Sequence, residues 1–283
     1  MKIVVASGKG GTGKSTLSAN FSYVISGNRD VVLVDCDVEE PNLHLFFEEK
    51  GKESIVTLPI PVIDENKCDF CGKCGEFCQY GAITVLKDQV MILQNLCHSC
   101  GGCLIVCPND AIYEVPKTIG VLRDAQINSH LRLITGVLNE GEANGIEIIK
   151  TVKRLSESFP LVIYDSSPGT ACPVIETVEG ADFCILVTES TPFGLHDLKL
   201  AAEVVKKMGV PSGVVINRSD GLDNETEEFC RENDLEILMK IPFDREIAAI
   251  QNRGELFSVY YPDWQKQFAD LLDHIESLCG GNI

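Results

Sequence analysis

Eight of the thirteen cysteines fall between Cys68 and Cys107, in two runs of the form C-x₂-C-x₂-C-x₃-C. The first is Cys68, Cys71, Cys74 and Cys78, and the second is Cys97, Cys100, Cys103 and Cys107. Three thiolates at that spacing can wrap a chain around one iron–sulfide cube while the fourth reaches away. A tetrahedral zinc site calls for two C-x₂-C pairs rather than a triple plus one. A second chemical motif stands near the start, Gly8-Lys9-Gly10-Gly11-Thr12-Gly13-Lys14-Ser15, which fits G-x-x-x-x-G-K-[ST]. Its glycines let backbone N–H groups turn inward around phosphate oxygens. Lys14 supplies a point charge for the outer phosphates, and Ser15 can ligate Mg²⁺.

These groups need elements to hold them. The glycine loop follows an apolar run at 3–6, which reads as a buried strand, and precedes a helix-period stretch at 15–26. The helix N-terminus then adds its dipole to the phosphate site. Further short apolar runs at 31–34, 161–164, 183–187, 213–216 and 236–241 read as strands. The stretches 145–157, 194–208 and 223–233 read as helices between them. This alternation predicts an α/β fold, a mostly parallel sheet covered by helices. Carboxylates close two of the strands: Asp35 and Asp37 after 31–34, and Asp165 after 161–164. The end of a parallel strand is where such folds place ligand-binding groups.

The cysteine segment breaks the alternation. It repeats with a period of 29 residues, and the frame extends to Ala82-Ile83 and Ala111-Ile112. Prolines flank it at Pro59, Pro61 and Pro116. We expect a discontinuous larger domain, 1–62 and 118–283, with a small domain inserted at 63–117. A final helix is expected over 263–279, with Trp264, Phe268, Leu271, Leu272, Ile275 and Leu278 on one face. Its polar face carries Asp263, Asp270, Asp273 and Glu276, with Lys266 as the sole lysine. A membrane-surface helix would want a basic face, so this one should pack on the protein's own core.

Composition narrows the partners. There are 42 acidic against 24 basic residues, a net charge of −18. Such a chain is repelled by nucleic-acid phosphates and anionic lipid, so no nucleic-acid and no membrane partner is expected. No apolar run approaches the roughly 20 residues of a membrane span. The first residues lack the pattern of a signal peptide. A reducing, cytoplasmic setting is therefore expected, in an anaerobe, and disulfides are not. The five histidines form no ligand-spaced set.

With lysines at both Lys9 and Lys14, the loop resembles the deviant Walker A motif of the MinD/ParA/Mrp class of P-loop ATPases. The resemblance implies ATP and Mg²⁺ as ligands and an ATP-dependent homodimer in which Lys9 reaches the partner's nucleotide. It assigns nucleotide contacts to Gly8, Gly10, Gly11, Thr12, Gly13, Lys14, Ser15 and Thr16. It assigns Asp37 to the attacking water, Asp35 to the support of the Mg²⁺ shell and Asp165 to Mg²⁺ through a water. Asp165-Ser166-Ser167-Pro168-Gly169 resembles switch II, in which Gly169 senses the terminal phosphate. Asn217-Arg218 and the loop at Pro242 resemble the adenine-recognising segments. The cysteine segment resembles bacterial two-cluster ferredoxins, where the fourth cysteine ligates the other cluster. That implies two [4Fe–4S] clusters, one on Cys68, Cys71, Cys74 and Cys107 and one on Cys97, Cys100, Cys103 and Cys78. The second run ends Cys107-Pro108 as that pattern wants, whereas the first ends Cys78-Gln79.

The resemblance implies an ATP-hydrolysing iron–sulfur protein that couples dimer closure to electron transfer toward an unidentified redox or cluster-accepting protein. Two alternatives stand beside it: a metallocluster assembly or carrier ATPase, and a MinD-like switch with a redox-sensing module. The C-terminal C-x-x-C of Mrp-type scaffold proteins is missing. Cys36 and Cys172 lie beside the expected switches, where a dimer could build a bridging metal site.

Overall fold

The computed structural model describes residues 1–48 and 50–280 of the chain. The last three residues of the expected larger domain, 281–283, lie outside the described residues. The first half begins with β1 (Lys2–Ala6), α1 (Lys14–Ile25) and β2 (Val31–Asp35). A long strand, β3 (Gly51–Ile63), leads to the cysteine segment, with α2 (Lys73–Phe77), β4 (Ile83–Val85), β5 (Val90–Ile92) and α3 (Gly102–Val106). The return strand is β6 (Ile112–Gln126), followed by β7 (Leu131–Leu138), α4 (Ile146–Ser156) and β8 (Val162–Asp165). Then come α5 (Cys172–Val178), β9 (Phe183–Glu189), α6 (Pro192–Lys207), β10 (Ser212–Ser219), α7 (Asn224–Glu232) and β11 (Glu236–Pro242). The chain finishes with α8 (Arg245–Asn252), α9 (Phe257–Tyr260) and α10 (Pro262–Gly280).

Among the described residues one sheet runs in the order β11-β10-β9-β1-β8-β2-β7-β6-β3. The strands from β11 to β7 are mutually parallel, and β6 and β3 add on antiparallel. Successive residues of a strand face opposite sides, so the apolar runs must be covered twice. Ile3, Val5, Leu33, Ile163 and Ile185 join α1, α9 and α10 in one buried layer. Val4, Ala6, Val32, Val34 and Val162 join α4, α5 and α6 in the other. The last helix buries Trp264, Phe268, Leu271, Leu272 and Ile275, and Phe268 meets Phe21 of α1 with ring centroids 6.2 Å apart. This is the core packing its charge pattern predicted. No helix among the described residues is long and apolar enough to cross a membrane.

The order of strands reverses beside β1, with β8 and β2 on one flank and β9 and β10 on the other. The crevice at the carboxyl ends of β1 and β8 is thus the natural ligand site. Each strand–helix stretch expected between 161 and 241 is present, with ends moved by a few residues.

The long ribbon of β3 and β6 was not apparent from the apolar pattern. Its inner half, Gly51–Val56 against 120–125, extends the sheet beside β7. Its outer half, Thr57–Ile63 against 112–118, has no further strand beside it among the described residues and carries residues 64–111 at its tip. Ile119 is an extra residue in the ladder between the pairs Val56–Gly120 and Thr57–Thr118. Such a bulge bends a strand, here where the ribbon leaves the sheet. Pro59 stands opposite Pro116, and Pro61 opposite Glu114. These positions share one parity, so the missing N–H donors fall on the ribbon's open edges rather than between its strands. The prolines therefore protect two bare edges from pairing with another chain. The expected junctions at 62/63 and 117/118 both lie within this ribbon.

Candidate functional site

The glycine loop leaves β1 and enters α1 through Gly13, whose φ of 93° is left-handed. A Cβ there would be strained and would lie 2.1 Å from Asn217 Nδ2. Asn217, at the end of β10, donates from Nδ2 to the Thr12 carbonyl at 2.7 Å. Its Oδ1 accepts the Arg218 N–H at 2.9 Å. A Cβ on Gly8 would lie 2.1 Å from the Asp197 carbonyl oxygen, so α6 packs directly on the loop. Gly10 and Gly11 are exposed, Thr16 is half-buried in the first turn of α1, and Lys14 is buried. The Thr12 hydroxyl is buried without a hydrogen-bond partner, a polar group left to meet a ligand.

Two carboxylates stand on neighbouring strands beneath this loop, Asp35 and Asp165 being register partners of β2 and β8. Both are buried. Asp165 accepts the Ser15 hydroxyl at 2.5 Å on one oxygen and the Ser18 hydroxyl at 2.9 Å on the other. Asp35 accepts the N–H groups of Asp37 at 3.1 Å and of Asn42 and Leu43 at 3.0 Å. It therefore pins the chain that follows β2. Burial raises the pKa of Asp35 well above the carboxylate range, and Asp165 adds to it by repulsion. Burial likewise raises Asp165, against the opposing effects of Lys14, Ser15 and Ser18. Asp37 is half-buried and is pushed up to about 6, first by burial, with Lys14 opposing and Asp165 and Glu40 assisting. An acidic site short of positive charge, with a hydroxyl already turned to it, suits a hydrated divalent cation.

The expected switch segment lies against these strands. Gly169 donates its N–H to the Ser7 carbonyl at 2.9 Å, and the Ser167 hydroxyl donates to the Cys36 carbonyl at 3.1 Å. Cys36 is buried, and burial pushes its thiol far up. Cys172 is exposed at the start of α5. Arg218 is exposed with a left-handed φ of 53°, and Pro242 stands opposite Ser219 at the end of β11. Lys9 forms an ion pair with Glu189 at 3.6 Å.

Sequence reasoning did not single out Ser18 or Glu189. Ser18 had a signal, since it follows Ser15 by three residues on one helix and so shares its face. Glu189 had none, because its relation to Lys9 depends on how β9 sits beside β1.

At the ribbon tip lie two small recesses, walled by the cysteine segment and by the end of the ribbon itself. Cys78, Cys97, Cys100 and Cys103 line the first, with Tyr80 and His98 stacked at 3.7 Å. Cys68, Cys71, Cys74 and Cys107 line the second. Each recess thus gathers three cysteines of one run and the last of the other. Ile83, Cys103 and Ile112 form a small apolar core between them. Among the described residues no three His, Cys, Asp or Glu side chains converge closely enough to hold a single metal ion. Besides the ribbon, a side-chain link ties this unit to the turn after β7. The Lys117 ammonium donates to Asn95 Oδ1 at 3.2 Å and pairs with Glu142 at 2.8 Å. Asn95 lies two residues before Cys97, and Glu142 lies in the turn after β7.

An uncharacterised protein of Methanocaldococcus jannaschii is 34% identical over 98% of this chain and 96% of its own length. The protein named cytosolic Fe-S cluster assembly factor NUBP1 homolog in Caenorhabditis elegans is 22% identical, over 98% of this chain and 80% of that one. Among solved structures, the septum site-determining protein MinD of Pyrococcus horikoshii, complexed with Mg-ADP, has a TM-score of 0.60 at 20% identity. That match covers 100% of this chain and 98% of the other and shows a shared α/β P-loop fold. The family model described as CobQ/CobB/MinD/ParA nucleotide binding domain matches residues 3–257. With the glycine loop, the paired aspartates and the sheet order in the places that architecture requires, the chain belongs to the CobQ/CobB/MinD/ParA nucleotide-binding family.

Proposed function

We propose that this chain is an Mg²⁺-dependent ATPase that couples nucleotide turnover, through an ATP-dependent homodimer, to electron transfer by two [4Fe–4S] clusters. Residues 1–62 and 118–283 form the ATPase and 63–117 an inserted two-cluster ferredoxin domain. The observation that carries the reading is the composition of the two recesses, each lined by a crossed cysteine quartet. A cubane has an iron at each of four corners, so its cysteines surround a cavity instead of meeting at a point. When bound, such a cluster supplies one-electron transfer at low potential.

In the nucleotide site, Lys14 and the loop amides hold the outer phosphates, and Ser15 and Asp165 hold Mg²⁺. The two hydroxyl groups on Asp165 and the orphaned Thr12 hydroxyl support that assignment. Mg²⁺, when bound, draws charge from the phosphate oxygens. Asp37 orients the attacking water and accepts its proton, a task suited to a carboxylate pushed up to about 6. Asp35 holds the backbone of Asp37 in place. Asn217, Arg218 and Pro242 face adenine, with Asn217 also bracing the loop. Lys9 serves the partner's nucleotide, and Gly169 exchanges its bond to Ser7 for the terminal phosphate.

The route from nucleotide to cysteines is short. Val38 follows Asp37, and its carbonyl accepts the Leu138 N–H at 2.8 Å. Asn139 N–H donates to the carbonyl of the bulge residue Ile119 at 2.9 Å. Glu142 in the same turn holds Lys117, and Lys117 holds Asn95 beside Cys97. Motion at Asp37 therefore reaches both the base of the ribbon and a cluster loop. The test is anaerobic purification, iron and sulfide quantitation, and redox spectroscopy with and without Mg-ATP. About eight irons per chain and a nucleotide-dependent change are expected. Colourless reconstituted protein, or identical titrations in both conditions, would refute it.

A second reading, cluster assembly, draws support from the Caenorhabditis elegans relative's name. Transfer of iron and sulfide to an apo-acceptor, lost in Lys14→Ala, would favour it.

A further inference from the structure

Glu189 ends β9, directly beside Asn217 of β10 in the parallel register. Its side chain is 13% exposed and lies between two cations, Arg218 on one carboxylate oxygen and Lys9 on the other. The two contacts differ in kind. Arg218 forms a close hydrogen-bonded ion pair, and its left-handed backbone turns the guanidinium back toward β9. Lys9 is 3.6 Å away and 33% exposed, within ion-pair range but outside hydrogen-bond range. Lys9 can therefore leave without stranding a buried charge, because Arg218 stays on the carboxylate.

From this geometry we infer that Glu189 is a positioning residue that withholds Lys9 in the nucleotide-free chain and competes with phosphate for it. Arg218 sets the strength of that competition by neutralising part of the Glu189 charge. A triphosphate carries several negative charges against one on Glu189, so nucleotide wins the lysine, at some cost in affinity. The inference rests on the proposed contact of Lys9 with nucleotide phosphate.

The test is isothermal titration of the full-length chain with Mg-ATP under anaerobic conditions, together with sedimentation of the same samples. Binding by the wild-type chain tests the proposed function itself, and its absence removes that reading. Given binding, Glu189→Gln should tighten Mg-ATP about fivefold, the strength of a partly exposed ion pair, and lower the protein concentration needed for the nucleotide-dependent dimer. Lys9→Ala should cancel that gain, so that the double variant binds like Lys9→Ala alone. In an Arg218→Gln background, whatever that change costs at adenine, Glu189→Gln should give a larger gain than in the wild type. A fold defect would not produce this dependence on background. Unchanged or weaker binding by a Glu189→Gln protein of normal melting temperature would overturn the inference. So would a gain that persists in the Lys9→Ala background.

Discussion

Replacing Lys117 by Met tests whether the cysteine unit senses the nucleotide site through a physical link. Lys117 and Glu142 are 22% and 16% exposed, and the ammonium also holds Asn95. A half-buried pair of this kind, with one added hydrogen bond, contributes about 1–2 kcal/mol. If the link transmits the nucleotide state, its coupling free energy is bounded by the same amount. For a one-electron couple this corresponds to about 40–90 mV, at 59 mV per tenfold. The assay is an anaerobic redox titration of the wild type and Lys117→Met, each with and without Mg-ATP. The wild type should show a nucleotide-dependent shift within that range, and the variant should lose most of it while retaining iron and ATP hydrolysis. Glu142→Gln should behave alike, and the double variant should lose no more than either single change. A full nucleotide-dependent shift in Lys117→Met would refute the reasoning and send the coupling through the ribbon backbone alone.

Gly13→Ala should abolish nucleotide binding and lower the melting temperature, because the new Cβ meets Asn217 Nδ2 at 2.1 Å on a left-handed residue; unimpaired binding would count against the loop geometry. Cys68→Ser and Cys107→Ser should remove the same spectroscopic cluster and fail to add when combined. Cys68→Ser with Cys78→Ser should affect both clusters, and the reverse pattern would exclude crossed ligation. For pH, the Asp37 carboxyl is pushed up to about 6, above its unfolded value. The folded chain then holds the extra proton between about 4 and 6, so nucleotide-free stability should fall as pH rises through that window and level off above it. Mg²⁺ favours the ionised form, so its stabilising effect should grow over the same window in thermal melts. A Mg²⁺ effect independent of pH would contradict this.

Much of this protein is legible along the chain because its determinants are local. A parallel strand buried on both faces must be a short apolar run, so 3–6, 31–34, 161–164 and 183–187 could be read directly. The loop from Gly8 to Ser15 is likewise a contiguous motif that can be read directly, although Gly8 and Gly13 also answer the distant Asp197 and Asn217. The cysteine repeat specifies its spacing within a few residues, and α10 declares its buried face through its apolar period. What the residue order left open was every relation between distant strands. The ribbon of β3 and β6 joins residues about as far apart as Gly51 and Ala125; its first strand opens on the polar run Gly51–Ser54 and its outer half is broken by Pro59, Pro61 and Pro116, so neither shows a buried-strand pattern. The pairing of Asp35 with Asp165, the clasp of Asn217 on Thr12 and the contest of Glu189 for Lys9 all arise from sheet order and register. Local propensity sets which residues form a strand, but only the packed sheet decides which strand ends stand side by side, and that adjacency sets the electrostatics of the site.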